Sequence, residues 1–321
     1  MRAMNALIVG LPLMAFGFGS DVKVHFHVVD EDGRAITNAV IRTVTQRDRL
    51  APWHGGGAMR EVVSRTDADG RALARFPCYS GEFNSYVGAP GYYDEESRRN
   101  EFKYGSDSTF YANLLEHEKS LSFTLRRKIN PIPMYSSHVL GDFMLPTLGE
   151  AIGYDMKMGT WTSPYGEGVV SDFSVRFTEI HTNGCFVYVG ELLFEGGGGA
   201  YKMKNVASKS IWSSYNVETN AVFADHFVSA FKKYDDGRNV GRWVNIVEED
   251  EHLVLRTRVK KDMKGNIVEC NYSKLCGPLK IRKFLSFGKI CFNPNVNDVN
   301  LEDDAERNLF SRRRNGIGVI P

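Results

Sequence analysis

Cysteine is scarce. The chain has five in 321 residues, none in CxxC spacing, which excludes the common structural zinc frameworks, and an odd number cannot all pair with one another. Charge of one sign is missing as well. Lys+Arg of 40 against Asp+Glu of 39 leaves +1, so no net field draws the chain to nucleic acid or to an anionic membrane. Proline is held to 11 residues. After the N-terminal stretch no apolar run approaches the length of a membrane span. Nor does the sequence contain GxGxxG, GxxxxGK[ST], GxSxG, HExxH or a kinase set. The glycine run "EGGGGAY" at 195–201 lacks the lysine and the following helix that a phosphate loop needs. No cofactor is expected, no metal site, and no catalytic residue is identified.

The one apolar run sits at the start. Arg2 precedes "ALIVGLPLMAFGFG", and Gly17 and Gly19 stand just before Ser20. A positive start, a short apolar segment and small residues at its end read as a signal peptide over 1–19. Export to the periplasm or the extracellular space is the expectation, with no stable membrane insertion once the signal is removed. Because no cysteine follows the run, no lipid anchor is expected there.

The remaining composition favours strands. There are 20 Phe, 14 Tyr and 31 Gly. In "VKVHFHVV" Val22, Val24, Phe26 and Val28 point one way, and Lys23, His25 and His27 the other. That is the pattern of a half-buried strand. "DEDG" ends it; "AITNAVIRTVTQ", "VVSRT", "RALARF", "FNSYVGAPGYYD" and "LSFTLRR" follow as further strands, with "DADG" repeating the first turn. A sandwich of about a hundred residues is the architecture such short strands build.

These residues carry a resemblance. "VxVxDEDGRAITNAVI", "T-DADGRALARF", "YVGAPGYYD" and "FTLRR" resemble the carboxypeptidase regulatory-like, or prealbumin-like, module over about 21–127. The resemblance implies a β-sandwich and an accessory, non-catalytic role. A polar stretch at 94–119 departs from the pattern and is read as an insertion.

Two prolines in "KINPIPMYSS" mark a linker at 128–137. Beyond it, "GVVSDFSVRFTEI", "CFVYVGELLFE" and "EHLVLRTRVKKD" alternate as strands, and "KDMKGNIVECNYSKL" reads as a hairpin. "NAVFADHFVSAFKKYDDG" fits a short helix or a strand, with Phe223, Phe227 and Phe231 at spacing four. This half resembles uncharacterised domains of exported bacterial proteins, which implies no activity. The fold class expected is therefore mostly β: a prealbumin/Ig-like sandwich at 20–127, a second, predominantly antiparallel β domain at 138–310, and a tail at 311–321.

Candidate sites are few. A calcium loop of the EF-hand kind needs a carboxylate at its twelfth position. Counting from Asp30 that residue is Ile41, and from Asp67 it is Cys78, so both acidic turns read as turns. "NPNVNDVNLEDD" at 293–304 does reach Asp304 at position twelve, but Asp298 stands where glycine is required. It reads as an Asx-rich loop. His25 and His27 share a strand face without a third ligand, and read as solvent-facing. Glu179, Glu191 and Glu195 offer carboxylates to a hydrolase, with nothing to select a pair.

The aromatics of the second half are the remaining lead. Trp161, Tyr165, Trp212, Tyr215 and Trp243 lie near loops and strand ends, where a ring can stack on a flat ligand or fill a core. They are the ligand-binding candidates. The function expected is an exported, non-catalytic binding or structural protein that contacts a polysaccharide or another cell-surface component. The alternative is a glycan-directed hydrolase with its site in the second domain.

Overall fold

The computed structural model describes residues 21–46, 59–77, 82–101, 118–138, 143–182, 184–204, 215–234, 239–240, 245–248 and 251–310. The stretch 1–19 read as a signal peptide, the stretch 311–321, Cys78, Trp212 and Trp243 lie outside the described residues. The chain forms two compact units, Met1–Arg127 and Lys128–Pro321. Both are built of strands, with one 3-10 turn at Ala305–Arg307 among the described residues.

The first unit holds β1 (Asp21–Asp30), β2 (Val40–Gln46), β3 (Met59–Arg65), β4 (Arg71–Pro77), β5 (Glu82–Gly88), β6 (Glu95–Glu101) and β7 (Glu118–Leu125). They make two sheets, ordered β4-β1-β7 and β3-β2-β5-β6. β1 pairs antiparallel with β4 and parallel with β7. Its alternation works as the sequence dictates: Val22, Val24, Phe26 and Val28 are buried while Lys23, His25 and His27 are exposed. Ile41 of β2, Phe76 of β4, Phe83 and Val87 of β5, and Phe123 and Leu125 of β7 join them in one core. Phe76 and Phe83, from different sheets, meet edge to face at 5.5 Å. This is a β-sandwich.

One correction falls here. The polar stretch at 94–119 begins with strand β6, whose sequence EESRRNE has no apolar face. Among the described residues β6 is the last strand of its sheet, paired to β5. An edge strand of this kind is kept polar because an apolar edge invites further pairing.

The second unit continues with β8 (Tyr135–His138), β9 (Phe143–Met144), β10 (Ile152–Asp155), β11 (Thr160–Trp161), β12 (Phe173–Thr182), β13 (Cys185–Leu193) and β14 (Gly199–Lys204). After these come β15 (His226–Tyr234), β16 (Asn239–Val240), β17 (Glu251–Lys261), β18 (Ile267–Cys276), β19 (Lys280–Ile281), β20 (Phe284–Ser286) and β21 (Lys289–Phe292). The sheets are ordered β11-β10-β12-β13-β15-β16, β14-β17-β18-β21-β8 and β19-β20-β9. One core joins all three. Tyr154, Phe173, Val175, Phe177 and Leu192 come from the first, Leu253, Leu255, Leu275, Ile290 and Phe292 from the second, and Ile281 and Leu285 from the third.

The ambiguous segment is strand β15. The stretch 128–137, read as a linker, is hydrogen-bonded into the second unit. Glu302 takes the N–H groups of Ile129 and Asn130 at 2.8 and 2.6 Å. Ile132 donates to Glu302 O at 2.9 Å, and Tyr135 opens β8.

Candidate functional site

The acidic turns settle first, because the leading Asp of each bonds the backbone of its own turn. Asp30 Oδ1 accepts the N–H groups of Asp32 and Arg34 at 2.9 Å each. Asp67 Oδ1 takes those of Asp69 and Arg71 at 3.0 and 2.9 Å. Asp262 Oδ1 does the same for Lys264 and Asn266 at 2.9 and 2.8 Å. Gly33, Gly70 and Gly265 follow at φ +77°, +69° and +84°. One hairpin device is thus used three times: an Asp bonds its own turn and a glycine accepts the left-handed conformation. Asp30 does one thing more. Its Oδ2 is paired with Arg127. Burial pushes its carboxyl up, yet bonds from Arg127, Arg34 and Asp32 outweigh burial and hold it below the ordinary range.

The Asx-rich loop at 293–304 is likewise closed on itself. Asn293 Nδ2 donates to Asp298 O and Asn300 O at 3.2 and 2.9 Å. Asn297 Oδ1 takes Cys270 N–H at 2.9 Å, and Asp298 Oδ1 takes Asn300 N–H at 3.0 Å. His25 Nε2 meets Glu118 Oε1 at 2.5 Å on an exposed face. Among the described residues no three His, Cys, Asp or Glu side chains are placed to hold a metal.

Two buried ion clusters pin loops of the second unit. Arg258 bonds Asp172 through Nε and Nη2 at 2.8 and 2.9 Å, and Asp155 through Nη2 at 2.8 Å. Asp155 also accepts Lys157, Met158, Val169 and Val170 N–H groups at 3.0–3.1 Å. The other cluster places Lys274 and Lys289 on Asp303 at 2.9 and 2.5 Å. Burial alone would raise the Asp303 carboxyl, but the two ammonium groups hold it far below the ordinary range.

Of the sequence candidates among the described residues, Trp161 and Tyr165 border one core and Tyr215 does not join them. Trp161 is 2% exposed and lies edge-on to Tyr154 at 5.3 Å. It is a core residue and offers no face to a ligand, which corrects its reading as a stacking ring. Tyr165 is half-buried against the same core and reaches Glu150 at 3.4 Å. Tyr215 lies elsewhere, its carbonyl accepting Leu301 N–H at 2.8 Å. Trp212 and Trp243 fall outside the described residues.

The hydrolase carboxylates also separate. Glu179 shares a sheet face with Phe177, whereas Glu191 pairs across to Arg176 on the other face, because successive side chains of a strand point opposite ways. Arg176 Nε donates to Glu191 at 2.5 Å and His226 Nε2 meets it at 3.0 Å. That pairing, chiefly with Arg176, lowers the Glu191 carboxyl. Two carboxylates on opposite faces cannot flank one scissile bond.

What the sequence reading missed is an aromatic ladder on the inner face of β12, β13 and β15. The registers place Phe177 opposite Gly190, Tyr188 between Glu179 and Phe231, and Phe186 between His181 and Lys233. Phe177–Tyr188, Tyr188–Phe231 and Tyr188–Phe186 lie 6.1, 6.2 and 6.2 Å apart, with planes within 13°, 21° and 18°. His181 caps Phe186 at 4.5 Å. Exposure rises along this ladder: Phe177 is buried, Tyr188, Phe231 and Phe186 are half-buried, and His181 is exposed. The reason lies in Gly190. A Cβ there would sit 2.4 Å from Ile281 O, so β19 rests directly on that row and its cover ends before the next. Lys283, just after β19, reaches Glu179 at 3.2 Å in the row of Tyr188. The signal was present as alternate aromatics in "CFVYV" and in "HFVSAF", but only the register makes them neighbours.

No family model matches the chain, and no curated protein matches it either. Solved structures give distant likenesses. The 3-chlorocatechol 1,2-dioxygenase of Rhodococcus opacus 1CP is 16% identical at a TM-score of 0.26, over 35% of this chain and 62% of its own. The chain therefore spans less than two thirds of that enzyme. The chlorocatechol 1,2-dioxygenase of Pseudomonas putida is 14% identical at 0.25, over 34% and 61%. The full-length major pilin SpaD of Corynebacterium diphtheriae is 9% identical at 0.24, over 90% of this chain and 84% of its own. At such scores these likenesses carry no functional argument.

Proposed function

We propose that the protein is an exported, non-catalytic binding or structural protein whose second unit contacts a glycan or another surface component through the aromatic ladder. In this reading the first unit is a prealbumin-like accessory module. The observation that carries the proposal is the row of near-parallel rings, Tyr188, Phe231 and Phe186, emerging half-exposed from the core. A half-exposed row of rings held by a rigid sheet offers apolar surface at little conformational cost, which contact with a saccharide ring needs.

The charged groups elsewhere support it. Asp30, Asp155, Asp172 and Asp303 are committed to structural bonds, and the carboxylates Glu179 and Glu191 are each paired on separate faces. The test is thermal melting of the full-length protein against a panel of soluble polysaccharides, with a reducing-end assay in parallel. A melting shift without product release, lost in Phe186→Ala, is the expected result. Product release abolished by a single carboxylate substitution would sink the non-catalytic reading.

A further inference from the structure

Resting on that reading, we infer that the ladder takes a neutral, hydroxyl-rich glycan, with the Glu179–Lys283 pair as its polar anchor. Glu179 stands on the ladder face of β12, directly opposite Tyr188 on β13. Residues so opposed in an antiparallel pair have Cβ atoms about 4.5–5.5 Å apart. Lys283, just after the strand that covers the inner face, meets Glu179 Oε2 at 3.2 Å. The pair therefore sits where that cover ends and the rings emerge. Both side chains reach solvent, Lys283 at 57% exposure and Glu179 at 32%. Among the described residues neither side chain has another polar partner. One carboxylate oxygen and part of the ammonium's donor set are thus open to a ligand.

The pair selects by its chemistry. A carboxylate and an ammonium held together carry no net charge, so an anionic or a cationic chain meets one attraction and one repulsion at similar range. Neither sign gains. A neutral chain of pyranose rings gains from both groups: one hydroxyl donates to Glu179 and a neighbouring one accepts from Lys283. Bonds of this kind, with one ionised partner, are stronger than those between neutral groups. The body of the sugar meanwhile lies against Tyr188 and Phe231 and, one row further, Phe186. The rings supply contact area, and the pair supplies the demand for free hydroxyls. A ligand without them would cover both charged groups and bond neither, which is costly.

Affinity electrophoresis of the full-length protein, in gels cast with hydroxyethylcellulose, methylcellulose or polygalacturonate, tests the inference. Hydroxyethylcellulose keeps its hydroxyls and should retard the protein roughly tenfold more strongly than methylcellulose, whose hydroxyls are largely capped, or polygalacturonate. Glu179→Gln should weaken hydroxyethylcellulose binding roughly tenfold and leave the melting temperature unchanged, because an ion pair this exposed adds little to stability. The same variant should raise retardation by polygalacturonate, since Lys283 then stands without its carboxylate. Lys283→Met should weaken hydroxyethylcellulose binding without that gain, and Phe186→Ala should weaken it too. Equal retardation by hydroxyethylcellulose and methylcellulose, abolished by Phe186→Ala, would overturn the anchor and leave the ladder's binding role standing. Undiminished hydroxyethylcellulose binding in both Glu179→Gln and Lys283→Met would overturn it as well, as would stronger retardation of the parent by polygalacturonate. Retardation by none of the gels would overturn the inference, and no melting shift with any polysaccharide of the wider panel would remove the binding role too.

Discussion

Arg258 grips Asp172 with a two-pronged bond, Nε to Oδ1 at 2.8 Å and Nη2 to Oδ2 at 2.9 Å, from a backbone held at φ +53°. A non-glycine residue in that region costs about 1–2 kcal/mol, so the surrounding bonds must outweigh it. They do so by closing the 155–172 loop: Asp172 also takes Met156 N–H at 2.7 Å, and the Arg258 guanidinium lies 4.6 Å over Phe292.

Removing the guanidinium strands two buried carboxylates. Arg258→Ala should destabilise the second unit by about 3–5 kcal/mol, the cost of breaking a buried pair from one side. Arg258→Lys keeps the charge but loses the fork, so about 1–3 kcal/mol is expected. Urea unfolding monitored by tryptophan fluorescence measures both, since Trp161 packs in the same core. A lysine variant as unstable as the alanine variant would show that charge contributes nothing.

Asp303 sets the response to acid. Its folded carboxyl is depressed against an unfolded value of about 3.9, so its stabilisation is complete above that pH and drains as pH falls below it. Burial pushes the Lys289 ammonium down, but the Asp303 carboxylate bonded to it outweighs burial and raises the group; that contribution is complete below about pH 10.4 and drains as pH rises above it. Asp303→Asn should cost about 3–5 kcal/mol at pH 7 by leaving Lys274 and Lys289 without their carboxylate. The variant should also lose less stability than the parent between pH 5 and pH 3. Parallel acid slopes in denaturant melts would contradict the assignment.

The repeated turns differ in what lies beside their glycines. At Gly33 an added Cβ meets nothing within 4 Å, whereas at Gly70 it meets Val28 O at 2.4 Å. Gly33→Ala should therefore cost only the backbone term of about 1–2 kcal/mol. Gly70→Ala adds a backbone clash and should cost about 3 kcal/mol or more. Thermal melts of the two variants decide this, and equal losses would mean the first turn is no freer than the second.

These turns and the strands beside them were legible because the alternation in "VKVHFHVV" and the Asp-x-x-Gly signature act locally. β6 was not, since an edge strand of charged residues has no apolar period to read. β15 stayed ambiguous for a different reason. Phe223, Phe227 and Phe231 recur at four, which satisfies one helical face and one strand face alike; pairing with β13 makes Phe227 and Phe231 strand residues, while Phe223 precedes the strand. The ladder needs three strands in register, a fact about pairs that no single stretch contains. Trp161 misled because tryptophan near a strand end looks the same whether its ring faces water or packs on Tyr154.

The cysteines allow a last prediction. Cys185, Cys270, Cys276 and Cys291 are buried free thiols. Cys270 and Cys276 sit on one strand, six residues or about 20 Å apart, too far for the roughly 7 Å limit of a disulfide. Burial pushes the Cys291 thiol up to about 12, and its sulfur lies 3.3 Å from Ser136 Oγ. The thiolate is the reactive form, so Cys291 should be inert in the folded protein on grounds of both access and ionisation. Maleimide labelling followed by peptide mass mapping should leave these four positions unmodified natively and modify all of them in guanidinium. Fast native labelling at Cys276 or Cys291 would mean that the segment carrying Asp303 opens readily. In that case the Asp303→Asn variant should label faster still, because the Lys274 and Lys289 bonds are what hold that segment down.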